Sequence, residues 1–138
     1  VPDLIEAIVK EEIDAIVEKN ASVASYEDSL NIAIEFILKN RRATLHMYNS
    51  ANRDIYERYL MQLCQYLVET FMNTAFGDRK ISDFDRGVIV RSYKCHCFGL
   101  FIDWLDSGLK EDIQPKLRRL CELRRGMIEE MIDRCEEK

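Results

Sequence analysis

Cys95, His96 and Cys97 are consecutive, and cysteine with histidine is a donor set that zinc favours. A tetrahedral ion needs its donors to converge. If the stretch is helical, neighbouring side chains point about 100° apart and Cys95 and Cys97 about 200° apart. They cannot meet on one ion unless the helix melts, and no second Cys-x-x-Cys or His-x-x-x-His pair exists to help. The expected role is as small buried hydrophobes, with no metal and no cofactor. His46 lies among Leu45, Met47 and Tyr48, and no serine or carboxylate is placed by the sequence to complete a triad with it. It reads as a structural histidine or, if it faces a cavity, as a ligand contact. There is no glycine-rich phosphate loop and no Gly-x-Ser-x-Gly elbow. Glu35, Asp85 and Asp103 read as isolated solvated acids. The expectation is that the chain is not an enzyme; His46 bonded to a buried carboxylate in a cleft would reverse it.

The aromatic residues carry more information. Tyr59, Tyr66, Phe71, Phe76, Tyr93, Phe98, Phe101 and Trp104 fall in two segments. Most must be core; some can line an apolar cavity between helices, with hydroxyls and His46 as polar handles. The doublets Arg41-Arg42, Arg118-Arg119 and Arg124-Arg125 are dispersed among acids and read as charged surface rather than a phosphate track.

The element that must position these groups is the segment 83–108. It is too apolar for a surface helix and too often interrupted by charge for a membrane span. Tyr93, Cys97, Leu100 and Trp104 share one helical face, and Ser92, Cys95, Gly99 and Ile102 a second one about 100° away. Two apolar faces need two neighbours: the first closes this chain's own core and the second meets a partner, a second copy. Ser82 or Asp83 caps the helix and Gly108 stops it.

The rest of the chain is also helical. A first helix runs to about residue 19, with Pro2 in its first turn, acids Asp3 and Glu6 near its start, and a stripe of Leu4, Ile5, Ile8, Val9, Ile13, Ile16 and Val17. Ser25 and Asp28 resemble a capping box for a second helix to about 40, with Leu30, Ile34, Ile37 and Leu38 inward. A short helix follows at 43–49. A long one at 53–75 carries Ile55, Tyr59, Leu63, Tyr66, Leu67 and Phe71, widened by Leu60, Cys64, Val68, Met72 and Phe76. Gly77 ends it, in the left-handed position that glycine tolerates. A last helix spans 112–135, with Pro115 in its first turn and a seam of Leu117, Leu120, Arg124, Met127 and Met131. The expected fold is all-α: a single-domain bundle of about five long helices and one short one.

Composition agrees. The 138 residues are 47% hydrophobic and 33% charged, with five Gly and two Pro, which suits one helical globular domain. The net charge of −5 argues against a nucleic-acid clamp. No apolar run approaches a membrane span, and no secretory leader is expected, since no charged-then-apolar pattern opens the sequence. Five cysteines, an odd number, fit a reducing, cytoplasmic setting better than a disulfide framework. A start at Val1, directly in a helical pattern, suggests part of a longer protein.

Three stretches now share a likeness. PDLIEAIVKEEIDAIVEK resembles the linker helix that follows the DNA-binding domain of TetR/AcrR-family transcriptional regulators. FILKNRRATLHMYNSANRDIYERYLMQL is similar to the helix, short helix, long helix run of that family's regulatory domain. Tyr93, Gly99, Trp104, Leu105 and Gly108 resemble the Y…G…WL…G signature of one C-terminal subgroup, and KEDIQPKLRRL fits its polar turn before the last helix. The family's helix-turn-helix has no counterpart here.

The resemblance implies one regulatory domain over 1–138, with 1–19 as the linker to a missing DNA-binding domain. It implies a homodimer built through the last two helices, with Ser92, Cys95, Gly99, Ile102, Leu117, Leu120, Met127 and Met131 at the interface. It implies a cavity for an unknown small-molecule effector lined by His46, Tyr59, Leu63, Tyr66, Phe71, Tyr93, Cys97 and Trp104. DNA would be bound through the missing domain alone, with no membrane contact. The alternative is a stand-alone helical dimerisation module without a ligand.

Overall fold

The computed structural model describes residues 2–136, with side chains from Glu6 onward. These residues form seven α-helices and no strand. The helices are α1 (Pro2–Lys19), α2 (Tyr26–Lys39), α3 (Arg41–Tyr48), α4 (Arg53–Phe76), α5 (Asp83–Asp106), α6 (Gln114–Leu123) and α7 (Met127–Cys135). The inward roles expected of Leu4 and Ile5 lie outside the described side chains.

Helices α4 and α5 form the spine, packed side by side, with α1, α2 and α3 against α4. Leu60, Leu63, Cys64, Leu67 and Met72 of α4 are fully buried. They face Cys97, Phe101 and Leu105 of α5 within one continuous core. From α2 the core takes Leu30, Ala33, Ile34, Phe36 and Ile37. Leu38, expected inward, lies at the surface, and Phe36 takes the buried position, stacked on Tyr56 at 6.1 Å between ring centroids.

The caps follow from local chemistry. Ser25 Oγ accepts the Asp28 amide at 3.1 Å and Ser82 Oγ the Asp85 amide at 3.1 Å, each satisfying a donor that the helix start leaves free. Gly108 ends α5 at φ +79°. The Leu109 amide returns to Trp104 O at 3.2 Å and the Gly108 amide to Leu105 O at 2.9 Å, the paired bonds of a Schellman turn. Leu109, buried beside it, also has a positive φ, 57°. Trp104 Nε1 donates to Glu111 O at 3.0 Å and Arg41 Nη2 to Leu109 O at 2.6 Å, fastening this turn to α5 and α3.

Two expectations are corrected. Gly77 is not left-handed: its φ is −65°. Glycine suits it because a Cβ there would collide with the Asn73 carbonyl oxygen. The last helix is not continuous. Gly126, at φ +84°, breaks it into α6 and α7, because a left-handed residue cannot continue a right-handed helix. The bend dissolves the expected seam: Leu117 is 4% exposed and Met127 49%, so they no longer share a face. Ile132 instead anchors α7 in the core, and Arg79 pairs with Asp133 and Glu136 on its outer side.

Candidate functional site

Two concavities and one open helix face stand out. The first concavity is an apolar groove of about 400 Å³ with α1 as one wall. Ile8, Val9 and Glu12 come from α1, Phe36 from α2, Ala43, Thr44, His46 and Met47 from α3, and Tyr56 from α4. Asn40 Nδ2 donates to Glu12 Oε1 at 2.5 Å, tying α1 to the end of α2. Ile8 stays 49% exposed at the mouth. Tyr56 Oη is sealed from water beside Thr44 and makes no hydrogen bond of good geometry, a state that costs about 1–3 kcal/mol. Burial is the main reason its hydroxyl is raised well above its ordinary value.

The second concavity is an open cleft of about 730 Å³ between the start of α2, the end of α4 and the α6–α7 bend. Phe71, Phe76, Tyr93 and Ile128 supply apolar lining; Arg118, Arg124, Arg125, Glu27, Glu122 and Glu129 supply charge. Behind it runs a chain of hydrogen bonds. Arg124 Nη1 lies 3.3 Å from His96 Nε2, His96 Nδ1 lies 2.9 Å from Tyr26 Oη, and Tyr26 Oη lies 3.3 Å from Tyr93 O. A guanidinium can only donate, so Nε2 must accept and the imidazole proton sits on Nδ1. Tyr26 Oη therefore accepts from His96 and donates to Tyr93 O. Burial, and after it the Arg124 charge, push the His96 imidazole below its ordinary value, which fits this neutral form. Arg124 also lies over the Tyr93 ring, 5.2 Å from its centroid.

The open face belongs to α5. Phe84 is 80% exposed and Val88 54% exposed. Cys95 and Gly99 continue the row in the open and Ile102 half-open. Helical spacing puts all five on one side, and a Cβ at Gly99 would meet nothing within 4 Å.

Cys95, His96 and Cys97 point into three different surroundings. Cys95 faces out, His96 sits between Tyr26 and Arg124, and Cys97 is buried. A hydrogen bond with Cys64, with burial added, holds the Cys97 thiol well above its ordinary range. Among the described residues no group of three or more metal-ligating side chains converges.

A family of transcriptional regulator C-terminal regions, of the TetR type, matches residues 25–126 of this chain. The chain belongs to that family. Neither the curated proteins nor the solved structures gave a match. TetR-type regulators act as dimers that bind DNA and small-molecule effectors, so this domain is a regulatory one. Among its described residues no helix is long and apolar enough to cross a membrane.

The cavity residues that the TetR likeness implied do not share one site. His46 is exposed and lines the α1 groove; Phe71 and Tyr93 line the α6–α7 cleft. Leu63 and Cys97 are sealed in the core. Tyr59 Oη donates to Glu6 at 2.9 Å, and Tyr66 Oη lies 2.8 Å from Asn20 O and 3.1 Å from Val17 O, so both hydroxyls fasten α1. Trp104, 2% exposed, spends its N–H on the α5–α6 turn. Of the residues expected at the dimer interface, Ser92, Cys95, Gly99 and Met127 are exposed and Ile102 and Met131 half-buried. Leu117 belongs to the chain's own core and half-buried Leu120 lines the cleft. Sequence reasoning missed Phe84 and Val88, although they extend the Cys95–Gly99 row backwards at the same spacing. It also missed Tyr26 and Arg124, which come from distant segments with no pattern linking them.

Proposed function

We propose that this is the sensing and dimerising half of a TetR-type regulator. In a longer protein α1 would lead to a DNA-binding domain, and occupancy of the α1 groove would set the position of that helix. The observation that carries the reading is that α1 itself forms one wall of the groove. A ligand seated between Val9 and Tyr56 touches the helix it would have to move. The lining is largely apolar, with Glu12, Asn40 and His46 as its open polar groups and the Tyr56 hydroxyl sealed beneath. It suits a small apolar effector with one or two hydrogen-bonding atoms. Such a ligand controls DNA binding only through its different affinity for the two arrangements of α1.

Dimerisation would use the open α5 face. A symmetric pair of chains would cover Phe84, Val88, Cys95 and Gly99 with the same row of the second copy, as an isologous two-fold contact requires. Burying Phe84 and Val88 contributes at about 25 cal/mol per Å² of apolar surface, and the bare Gly99 lets two backbones approach.

Filling the groove tests the sensing role. Ala43 is exposed on α3 and lines it, so Ala43→Phe should act as a permanent occupant. In the full-length regulator, operator affinity should change about tenfold (~1.4 kcal/mol) while the dimer mass stays the same. An unchanged affinity, with the variant folded, contradicts the reading.

A further inference from the structure

We propose that the cleft beside the α6–α7 bend is a second binding site, for an amphipathic anion whose charged oxygens pair with Arg124 and whose apolar body rests on Phe71, Phe76 and Tyr93. The site is separate from the α1 groove and shares no lining residue with it, so it stands whether or not that groove holds an effector.

The argument starts from Arg124. The residue is half-buried and its guanidinium carries a full charge, yet among the described residues no carboxylate lies within ion-pair distance. Its partners are a neutral imidazole nitrogen and the face of an aromatic ring. Both orient the group and neither neutralises it. An arginine fixed in this way retains donors for an oxyanion. The His96–Tyr26–Tyr93 chain behind it holds the imidazole proton on the far nitrogen, so Arg124 is met by a lone pair and not repelled.

The surroundings select the ligand's other end. Phe71 and Phe76 meet edge to face with centroids 5.9 Å apart, and Tyr93 continues this apolar wall toward Arg124. Of the acids at the cleft, Glu122 is engaged by Arg119 at 2.9 Å. That leaves Arg118, Arg124 and Arg125 against Glu27 and Glu129, an excess of positive charge that favours one anionic group. The cleft volume of about 730 Å³ lies within the ordinary range for small-molecule sites. Because the cleft spans the bend at Gly126, an occupant would also hold α7 against α4.

The test uses two probes with the same aromatic body, 8-anilinonaphthalene-1-sulfonate and the uncharged N-phenyl-1-naphthylamine. Their fluorescence is titrated with the unmodified chain, Arg124→Gln and Ala43→Phe. The expected result is tenfold or greater loss of the sulfonate's affinity in Arg124→Gln, with the uncharged probe unchanged and Ala43→Phe neutral for both. Should Arg124→Gln not fold, thiol alkylation of the unmodified chain decides. Cys121 lines the cleft and half-buried Cys135 lies outside it, so the sulfonate should slow alkylation of Cys121 and leave Cys135 unaffected. Equal loss of both probes in a folded Arg124→Gln, loss of binding in Ala43→Phe, no protection of Cys121, or no binding at all would overturn the proposal. None of these outcomes bears on the effect of Ala43→Phe on operator affinity, so the two readings fail separately.

Discussion

Burial and the neighbouring Arg124 charge hold His96 below its ordinary value near 6.5. Its two ring nitrogens meet Tyr26 from α2 and Arg124 from the α6–α7 bend, and Tyr26 in turn is held by the Tyr93 carbonyl. Protonating Nε2 would set an N–H against the Arg124 N–H. The unfolded chain therefore binds this proton more readily than the folded one. Stability contributed by neutral His96 is complete above the ordinary value and falls as pH drops below about 6.5. The Glu136 carboxylate, lowered by its hydrogen bond to Arg79 from an ordinary 4.5, loses its contribution only in more acid solution. The melting temperature should fall between about pH 7.5 and 5.5, and His96→Gln should remove part of that fall. Equal slopes for the two proteins would remove His96 from the account.

At the scale of elements, the bend at Gly126 decides what α6 and α7 can do. Its φ of +84° costs an L-residue with a side chain about 1–2 kcal/mol. A Cβ at Gly126 would meet nothing within 4 Å, so backbone strain alone sets the penalty. Gly126→Ala should lower unfolding stability in denaturant by about that amount; no change would mean that α7 leaves the bend freely. The same glycine shows where sequence reading stops. Apolar spacing from Leu117 to Met131 fits an unbroken helix, and one glycine is tolerable inside such a pattern, so periodicity outweighed the break. Where strong local signals coincide, reading succeeded. Ser25 and Ser82 cap α2 and α5, Pro115 sits in the first turn of α6, and Gly108 closes α5. The α1 groove and the cleft were scarcely legible. Each is made by side chains from four or more segments, and only packing decides that Tyr56 is sealed while His46 faces out.

At the scale of the molecule, one chain leaves the large apolar side chains Phe84 and Val88 of α5 uncovered. Phe84 and Val88 lie on the same side of α5 as Cys95 and Gly99, opposite the face that closes the core. A lone domain gains nothing by presenting that row to water, whereas a pair related by a two-fold axis buries it twice. The regulatory reading depends on this pairing, because a dimer is what gives two α1 helices a separation for an effector to change. Sedimentation equilibrium of the unmodified chain, beside a Phe84→Glu/Val88→Lys variant, tests it most directly. The account predicts twice the chain mass for the unmodified protein at micromolar concentration, and a helical monomer for the variant. A monomeric unmodified chain at about a hundred micromolar, or a variant that remains dimeric, would contradict it.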